Sequence, residues 1–212
     1  MDQTTYSGVT TQYQTSFIIR NIGIDLRTIG RSIDIGCGRE ARLVQYLRSA
    51  GVQAEGIDPG VCPSEHLMQG YAHTIARPDA TYDFAYSHIA HFKDGQQINR
   101  LLVSAIGGEA LFTGQYDAKK KSLLLSIDET LRVLKPQRPF VIWPAPTYLL
   151  EESSSLLCGK GIEVKFELIE GQSPAERDAL TQQFSRIGTW PIDYLSKVIG
   201  DEMGRRAVLT KR

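Results

Sequence analysis

The sequence lacks an excess of either charge, since 24 Lys and Arg residues balance 24 Asp and Glu residues. Proteins that bind nucleic acid or anionic membranes usually carry a basic field, which this composition does not supply. Long apolar runs are also missing, because charged residues or prolines interrupt each one well before the roughly 20 residues of a membrane span. We therefore expect neither a nucleic-acid partner nor a membrane segment.

Cysteine is scarce as well. The three cysteines, Cys37, Cys62 and Cys158, are odd in number and scattered along the chain, which is not the pattern of a disulfide framework. Segment 1–16 is polar and has neither the basic start nor the apolar run of a secretory signal peptide. Both features predict a cytoplasmic protein.

Strand and helix patterns alternate along the 212 residues, a length that suits a single domain with a substantial core. Helical spacing of apolar residues predicts helices over 17–29, 119–134 and 147–157, and a short helix over 63–68. Strands are predicted over 32–35, the residues up to Asp58, 72–75, 82–87, 140–143, 162–169 and 206–210. This alternation indicates an α/β fold whose mostly parallel sheet is covered by helices on both faces.

Residues 31–60 carry the clearest motif: a strand, a glycine turn, an amphipathic helix and a second strand, with a carboxylate near the end of each strand. Gly36, Gly38 and Ala41 match the G-x-G-x-x-G/A dinucleotide fingerprint. Asp58 follows Gly38 by about 20 positions, the spacing of an acid that binds a ribose. The unit therefore indicates a nucleotide-type cofactor, and a nicotinamide enzyme is one interpretation.

Asp34, two positions before Gly36, favours a different cofactor. A carboxylate at this turn would repel a pyrophosphate but attract a ligand with an ammonium and a sulfonium group. S-adenosylmethionine has both charges, together with a ribose for Asp58. The charge of Asp34 therefore favours S-adenosylmethionine over a dinucleotide.

Four segments in succession resemble one family, the class I, Rossmann-like S-adenosylmethionine-dependent methyltransferases. DIGCG at 34–38 is similar to its first motif and GIDPG at 56–60 to its second. Residues 77–94 resemble the segment around its fourth strand, and 131–142 the approach to its fifth. The resemblance spans about 31–143, and RRAVLTKR at the end of the chain resembles the last strand. It implies a three-layer fold with a mostly parallel seven-stranded sheet and an antiparallel last strand.

The resemblance also implies roles for the residues of the glycine turn and of the second strand. Asp34 would hold the methionine ammonium, while Gly36 and Gly38 would let the backbone approach the ligand. Cys37 belongs to this turn as a packing residue rather than as a nucleophile. Asp58 would bind the ribose hydroxyls, with Pro59 beside the adenine.

Further cofactor contacts are implied at the start of the predicted third strand and at the end of the fourth. Tyr71 and Ala72 occupy the position where many members carry an acid for the adenine amine, and Ser87 and His88 would face the methionine end. The chain also departs from the family pattern at Glu40, where a glycine is usual, and at Gln137 and Arg138, which replace glycines after Pro136.

Methyl transfer from a sulfonium needs alignment, exclusion of water and, for an N–H or O–H acceptor, a base. His88 and His91 are the candidate bases, because imidazole titrates near neutrality and His91 matches a histidine often found in the family. The alternative is that one belongs to the cofactor shell and the other packs at a helix start. His88 and His91 lack a matching acid cluster, and no metal site is predicted.

We treat 1–212 as one domain with an N-terminal helical segment at 1–30. Two excursions, 95–118 and 171–204, would supply lid or substrate elements. The sequence thus predicts transfer of a methyl group to oxygen or nitrogen of a small-molecule acceptor. A protein of the same fold that binds cofactor without turnover and, third, an NAD(P)-dependent oxidoreductase are the alternatives.

Overall fold

The computed structural model describes residues 18–88, 113–143, 145, 147–169 and 204–212. A sheet of seven strands runs through them in the order β3-β2-β1-β4-β5-β7-β6. The first five strands are mutually parallel, whereas β7 runs antiparallel to both β5 and β6. The predicted Rossmann-like methyltransferase fold, with its antiparallel last strand, is confirmed.

The strands are β1 Ser32–Ile35, β2 Ala54–Asp58, β3 Leu67–Gln69, β4 Phe84–His88, β5 Phe140–Trp143, β6 Ile162–Leu168 and β7 Arg205–Lys211. The helices are α1 Arg42–Ser49, α2 Thr113–Val133, α3 Thr147–Glu152 and α4 Ser154–Gly159, preceded by a helical segment at 18–22. Every residue of β1, β2 and β5 is buried, as expected of parallel strands that are covered on both faces.

Helices cover the two faces of the sheet and enclose two apolar clusters. On one face, Ile33 and Ile35 of β1 pack with buried residues of α2, α3 and α4. On the other face, Tyr86 of β4 and Trp143 of β5 pack with α1 and segment 18–22. Because side chains alternate along a strand, Asp34 between the two isoleucines lies on the face that α1 covers.

Helix α1 follows directly from the residue pattern. Leu43, Val44 and Leu47 form its buried face, as the helical spacing predicts. The helix ends before Gly51, which has a left-handed φ of +86°. The amide of Gly51 bonds to the Arg48 carbonyl at 3.0 Å, a glycine ending that the sequence signals.

The helix predicted over 17–29 is wrong in its length. Within the described residues it covers only 18–22 and ends at Gly23, which has a φ of +76°. The amides of Gly23 and Ile24 both bond to the Ile19 carbonyl at 2.9 Å, so the last turn closes there. Ile24 and Ile29 continue the apolar pattern because both are buried, although neither lies in a helix.

The third strand was predicted in the wrong place. The short helix over 63–68 is absent, and Leu67–Gln69 instead forms β3 beside Gly56–Asp58 of β2. Residues 72–75 form a turn in which the Thr74 amide bonds to the Tyr71 carbonyl at 3.0 Å. A strand of three residues at the edge of a sheet is too short to show an alternating pattern.

Three further predictions need adjustment. Helix α2 begins at Thr113, so residues 113–118 of the predicted excursion 95–118 belong to it. The helix predicted over 147–157 is divided into α3 and α4 at Ser153. The sequence also predicts a helix within 95–118 that ends at 107–108, and two helical patterns within 174–203. Residues 95–112 and 171–203 lie outside the described residues, as does segment 1–17. In the part of the chain that the structure describes, no helix is long and apolar enough to cross a membrane.

Candidate cofactor site

The glycine turn after β1 is held against the end of β2. The amides of Gly36 and Cys37 bond to the Ile57 carbonyl at 2.8 and 3.2 Å. Gly36 and Gly38 both adopt left-handed φ values, +79° and +76°, which L side chains rarely adopt. These conformations bring the turn over the carboxyl edge of the sheet, where α/β proteins bind ligands.

Asp58 connects the two turns at this edge. Its Oδ2 accepts a hydrogen bond from the Gly38 amide at 3.0 Å, and its Oδ1 accepts one from the Gly60 amide at 2.8 Å. The side chain is buried. These two hydrogen bonds hold the carboxylate in a fixed orientation at the ends of β1 and β2.

Asp34 is buried on the neighbouring strand, directly in register with Gly56 of β2 and Tyr86 of β4. Asp34 in β1 and Asp58 at the end of β2 are therefore both buried, on adjacent strands. The glycine turn follows β1 directly. Such an arrangement suits a ligand that combines a positive charge with a hydroxylated ring.

Two glycines differ in the space that surrounds them. A Cβ atom on Gly56 would lie 2.8 Å from the Cys37 Sγ and 3.0 Å from the Val44 Cγ2, so only glycine admits the turn at this distance. Around Gly38, by contrast, a Cβ atom would meet nothing within 4 Å. The backbone at Gly38 therefore faces open space.

Glu40, which departs from the family pattern, is directed along the helix. Its carboxylate pairs with Arg42, and its carbonyl accepts a hydrogen bond from the Gln45 Nε2 at 2.8 Å. The next residue, Ala41, adopts a left-handed φ of 46°, after which α1 begins. These contacts give Glu40 a structural partner at the start of α1.

The end of β4 lies beside that of β1. The Ser87 hydroxyl is fully buried and donates to the Ile35 carbonyl at 3.0 Å, so it links the two strands. His88 pairs through its backbone with Trp143 of β5, but its side chain lies outside the described residues, as does all of His91. A cofactor contact for Ser87 and a base role for either histidine therefore stay predictions.

The loop after β3 brings an aromatic pair to the same edge. Tyr71 is 61% exposed, and its ring stacks on His73 with centroids 5.5 Å apart. The Gly70 amide bonds to the Asp58 carbonyl at 3.3 Å, which attaches this loop beside β2. Ala72 packs against the core, and the exposed Pro59 accepts a bond from the Gln69 side chain. The contacts predicted for Tyr71, Ala72 and Pro59 remain predictions.

Sequence reasoning missed two residues at this edge. His73 was not considered, although its position two residues after Tyr71 places both rings on one side of the turn. Tyr86 was treated only as a strand residue, yet it is fully buried in register with Asp34. Burial raises its pKa well above the ordinary value, and the nearby Asp34 charge and Cys37 thiol add to the shift. Tyr86 therefore stays protonated.

Across the ranges that the structure describes, no group of three or more His, Cys, Asp or Glu side chains is arranged to hold a metal ion.

Comparison with known proteins finds similarity at the level of the fold. No protein-family model matches the chain, and no curated protein is significantly similar to it. A SAM-dependent methyltransferase from Archaeoglobus fulgidus is 16% identical, with 94% of this chain and 93% of that chain covered and a TM-score of 0.48. A geranyl diphosphate C-methyltransferase from Streptomyces coelicolor is 12% identical, with 93% of this chain and 73% of that chain covered and a TM-score of 0.46. The cyclase SpnF is 16% identical, with 93% of this chain and 78% of that chain covered and a TM-score of 0.46.

Proposed function

We propose that the chain is a class I methyltransferase that binds S-adenosylmethionine at the carboxyl edge of β1, β2 and β4. One observation carries this proposal. Asp34 and Asp58 are buried on adjacent strands, and the backbone at Gly38 between them in the chain faces open space. The pair of carboxylates would attract the ammonium and sulfonium of this cofactor, whereas it would repel the pyrophosphate of a dinucleotide.

The residues present fit the parts of this cofactor. Asp58 is oriented by two backbone amides, and its carboxylate is the group that would accept hydrogen bonds from a ribose diol. Tyr71 offers an exposed ring beside β2 for a planar base, in place of the acid that many members carry. When bound, the cofactor supplies a methyl group on a positively charged sulfur, so the chain needs to align the acceptor and exclude water.

The acceptor in this proposal is a small molecule methylated on oxygen or nitrogen. The balanced composition provides no field for a polyanionic substrate. A proton must leave an O–H or N–H acceptor, and His88 and His91 are the proposed bases. His88 ends β4, so its backbone lies at the same edge as Asp58.

Calorimetry with S-adenosylhomocysteine, NAD and NADP tests the choice of cofactor. We expect binding of S-adenosylhomocysteine only. Asp34→Asn should weaken this binding by at least about tenfold, since hydrogen bonds to charged groups contribute roughly 1.5–3 kcal/mol. Asp83→Asn is the matched control. Asp83 lies at the opposite edge, where its carboxylate pairs with Lys135 at 2.7 Å, so its replacement should leave affinity unchanged.

Binding of NAD or NADP without S-adenosylhomocysteine would establish the oxidoreductase alternative instead. An unchanged affinity in Asp34→Asn would refute the charge argument.

A protein that binds the cofactor without turnover is the second candidate. Two observations favour it: Tyr71 replaces the usual adenine-binding acid, and the Ser87 hydroxyl already bonds to the Ile35 carbonyl. Transfer of a labelled methyl group to a panel of small phenols, carboxylates and amines discriminates the two. Tight binding of S-adenosylhomocysteine with no transfer to any acceptor would favour this candidate.

A further inference from the structure

Tyr86 occupies the middle of β4, in register with Asp34 of β1. Paired residues on parallel neighbouring strands point to the same face, so Tyr86 and Asp34 share the face that α1 covers. Cys37, whose thiol lies near enough to influence the Tyr86 hydroxyl, belongs to the glycine turn itself. The phenol therefore lies on the same face of the sheet as Asp34 and near the glycine turn.

The Tyr86 hydroxyl is fully buried and has no hydrogen-bond partner among the described residues. A phenylalanine would provide the same packing without a buried polar group, which is costly to leave unpaired. Tyr82, which is equally buried but lies before β4 and packs in the other apolar cluster, donates to the Glu55 Oε2 at 3.0 Å. The contrast indicates that the hydroxyl of Tyr86 serves a group that is not part of the chain.

Other buried polar groups also lack partners in the described ranges, namely those of Asn21, Ser32, Thr130 and Ser153. Tyr86 differs from them because it is in register with Asp34. Its high pKa keeps the phenol neutral, so it is able to donate one hydrogen bond and to accept others. A zwitterionic amino acid, with N–H donors and carboxylate acceptors, matches both capacities.

We propose that the Tyr86 hydroxyl is an additional ligand for the amino-acid end of the cofactor. It would share the ammonium with Asp34 and donate its own hydrogen to the cofactor carboxylate. This inference rests on the proposed function, because it presumes a cofactor that carries an amino acid. Tyr86 lies in neither of the two motifs, 34–38 and 56–60, that predict the cofactor.

The test compares Tyr86→Phe with two matched controls. Tyr82→Phe removes a phenol hydroxyl from a tyrosine that lies away from the candidate site, at the other end of the parallel strands. Thr130→Val removes a second buried, unpaired hydroxyl, on α2. Affinity is measured by calorimetry for S-adenosylhomocysteine and for methylthioadenosine, which keeps the nucleoside but lacks the amino acid. Thermal unfolding without ligand reports on the fold.

We expect Tyr86→Phe to bind S-adenosylhomocysteine about fivefold or more weakly, which is the effect of one lost hydrogen bond. Its affinity for methylthioadenosine and its unfolding temperature should not fall. Tyr82→Phe should unfold at lower temperature and bind both ligands normally, and Thr130→Val should bind both normally.

Wild-type affinity of Tyr86→Phe for S-adenosylhomocysteine would overturn the inference. So would an equal loss for methylthioadenosine, or a failure of the variant to fold, since each assigns Tyr86 a general structural role. If the wild-type protein binds no S-adenosylhomocysteine at all, the proposed function itself fails.

Discussion

At the scale of single residues, Gly38 and Gly51 allow a separation of backbone strain from ligand binding. Both have left-handed φ values, +76° and +86°, and a Cβ atom would meet nothing within 4 Å at either position. They differ in location, because Gly38 lies in the turn after β1 and Gly51 ends α1. Alanine at either position thus introduces the same conformational cost without a collision.

We expect Gly38→Ala and Gly51→Ala each to lower the free energy of unfolding by about 1 kcal/mol, because alanine disfavours positive φ. Only Gly38→Ala should weaken the binding of S-adenosylhomocysteine, since the alanine methyl group would project into the space that the ligand is proposed to use. Chemical denaturation and calorimetry measure the two effects. Equal ligand affinities in the two variants would mean that the cofactor does not approach the backbone at Gly38.

At the scale of elements, a buried carboxylate holds three strands together at the edge opposite the candidate site. Glu55 of β2 accepts hydrogen bonds from Arg31 before β1 at 3.0 Å, from Arg77 at 2.8 Å and from Tyr82 before β4 at 3.0 Å. Burial works to raise the pKa of Glu55, but these hydrogen bonds outweigh it and lower the pKa below the usual 4.5. The ionised form is therefore the one that stabilises the fold.

Glu55→Gln should lower the free energy of unfolding by about 2 kcal/mol at pH 7, because the arginines lose their charged partner. A lowered folded-state pKa contributes stability above the unfolded-state pKa and loses it as pH falls through the folded-state value. The difference between wild type and variant should therefore shrink below about pH 4.5. Denaturation curves at several pH values measure this.

The matched control is Glu163→Gln, because Glu163 pairs with Lys165 at 3.3 Å on the exposed face of β6. That variant should change stability little at any pH. A pH-independent effect of Glu55→Gln would show that packing, rather than ionisation, is what Glu55 contributes.

At the scale of the whole molecule, the sheet has a protected centre and weaker edges. Strands β1, β4 and β5 each have neighbours on both sides, whereas β3 is a three-residue edge strand and β6 is the opposite edge. Local opening needs less free energy where fewer buried contacts are lost. The candidate site lies at the carboxyl ends of β1, β2 and β4, each of which has a neighbouring strand on both sides.

Native-state hydrogen exchange should therefore show the slowest amides in β1, β4 and β5, and much faster ones in β3. Addition of S-adenosylhomocysteine should slow exchange at residues 36–38 and 58–60, because ligand binding suppresses local opening there. Amides of β6, at the far edge, serve as the internal control and should be unaffected. Protection that rises in β6 but not in the two turns would place the ligand elsewhere.

Local patterns predicted the strands and the helix whose own residues carry an apolar run, an alternation or a helical stripe. Strands β1, β4, β5, β6 and β7 and helix α1 were located from their own residues, because an apolar run or a helical stripe is a local property. The helix predicted over 17–29 is too long because the buried Ile24 and Ile29, which lie outside the helix, continue the spacing of a helical stripe. Strand β3 was missed because three residues contain no period.

The cofactor hypothesis follows from the sequence alone, since Asp34, the glycines and Asp58 lie within one short unit and their charges and conformations are local. Which residues from distant parts of the chain lie together depends on the tertiary structure. Strand register placed Tyr86 beside Asp34, and it gathered Arg31, Arg77 and Tyr82 around Glu55. Register depends on pairing between strands far apart in the chain, and a single-residue shift would turn each side chain to the other face.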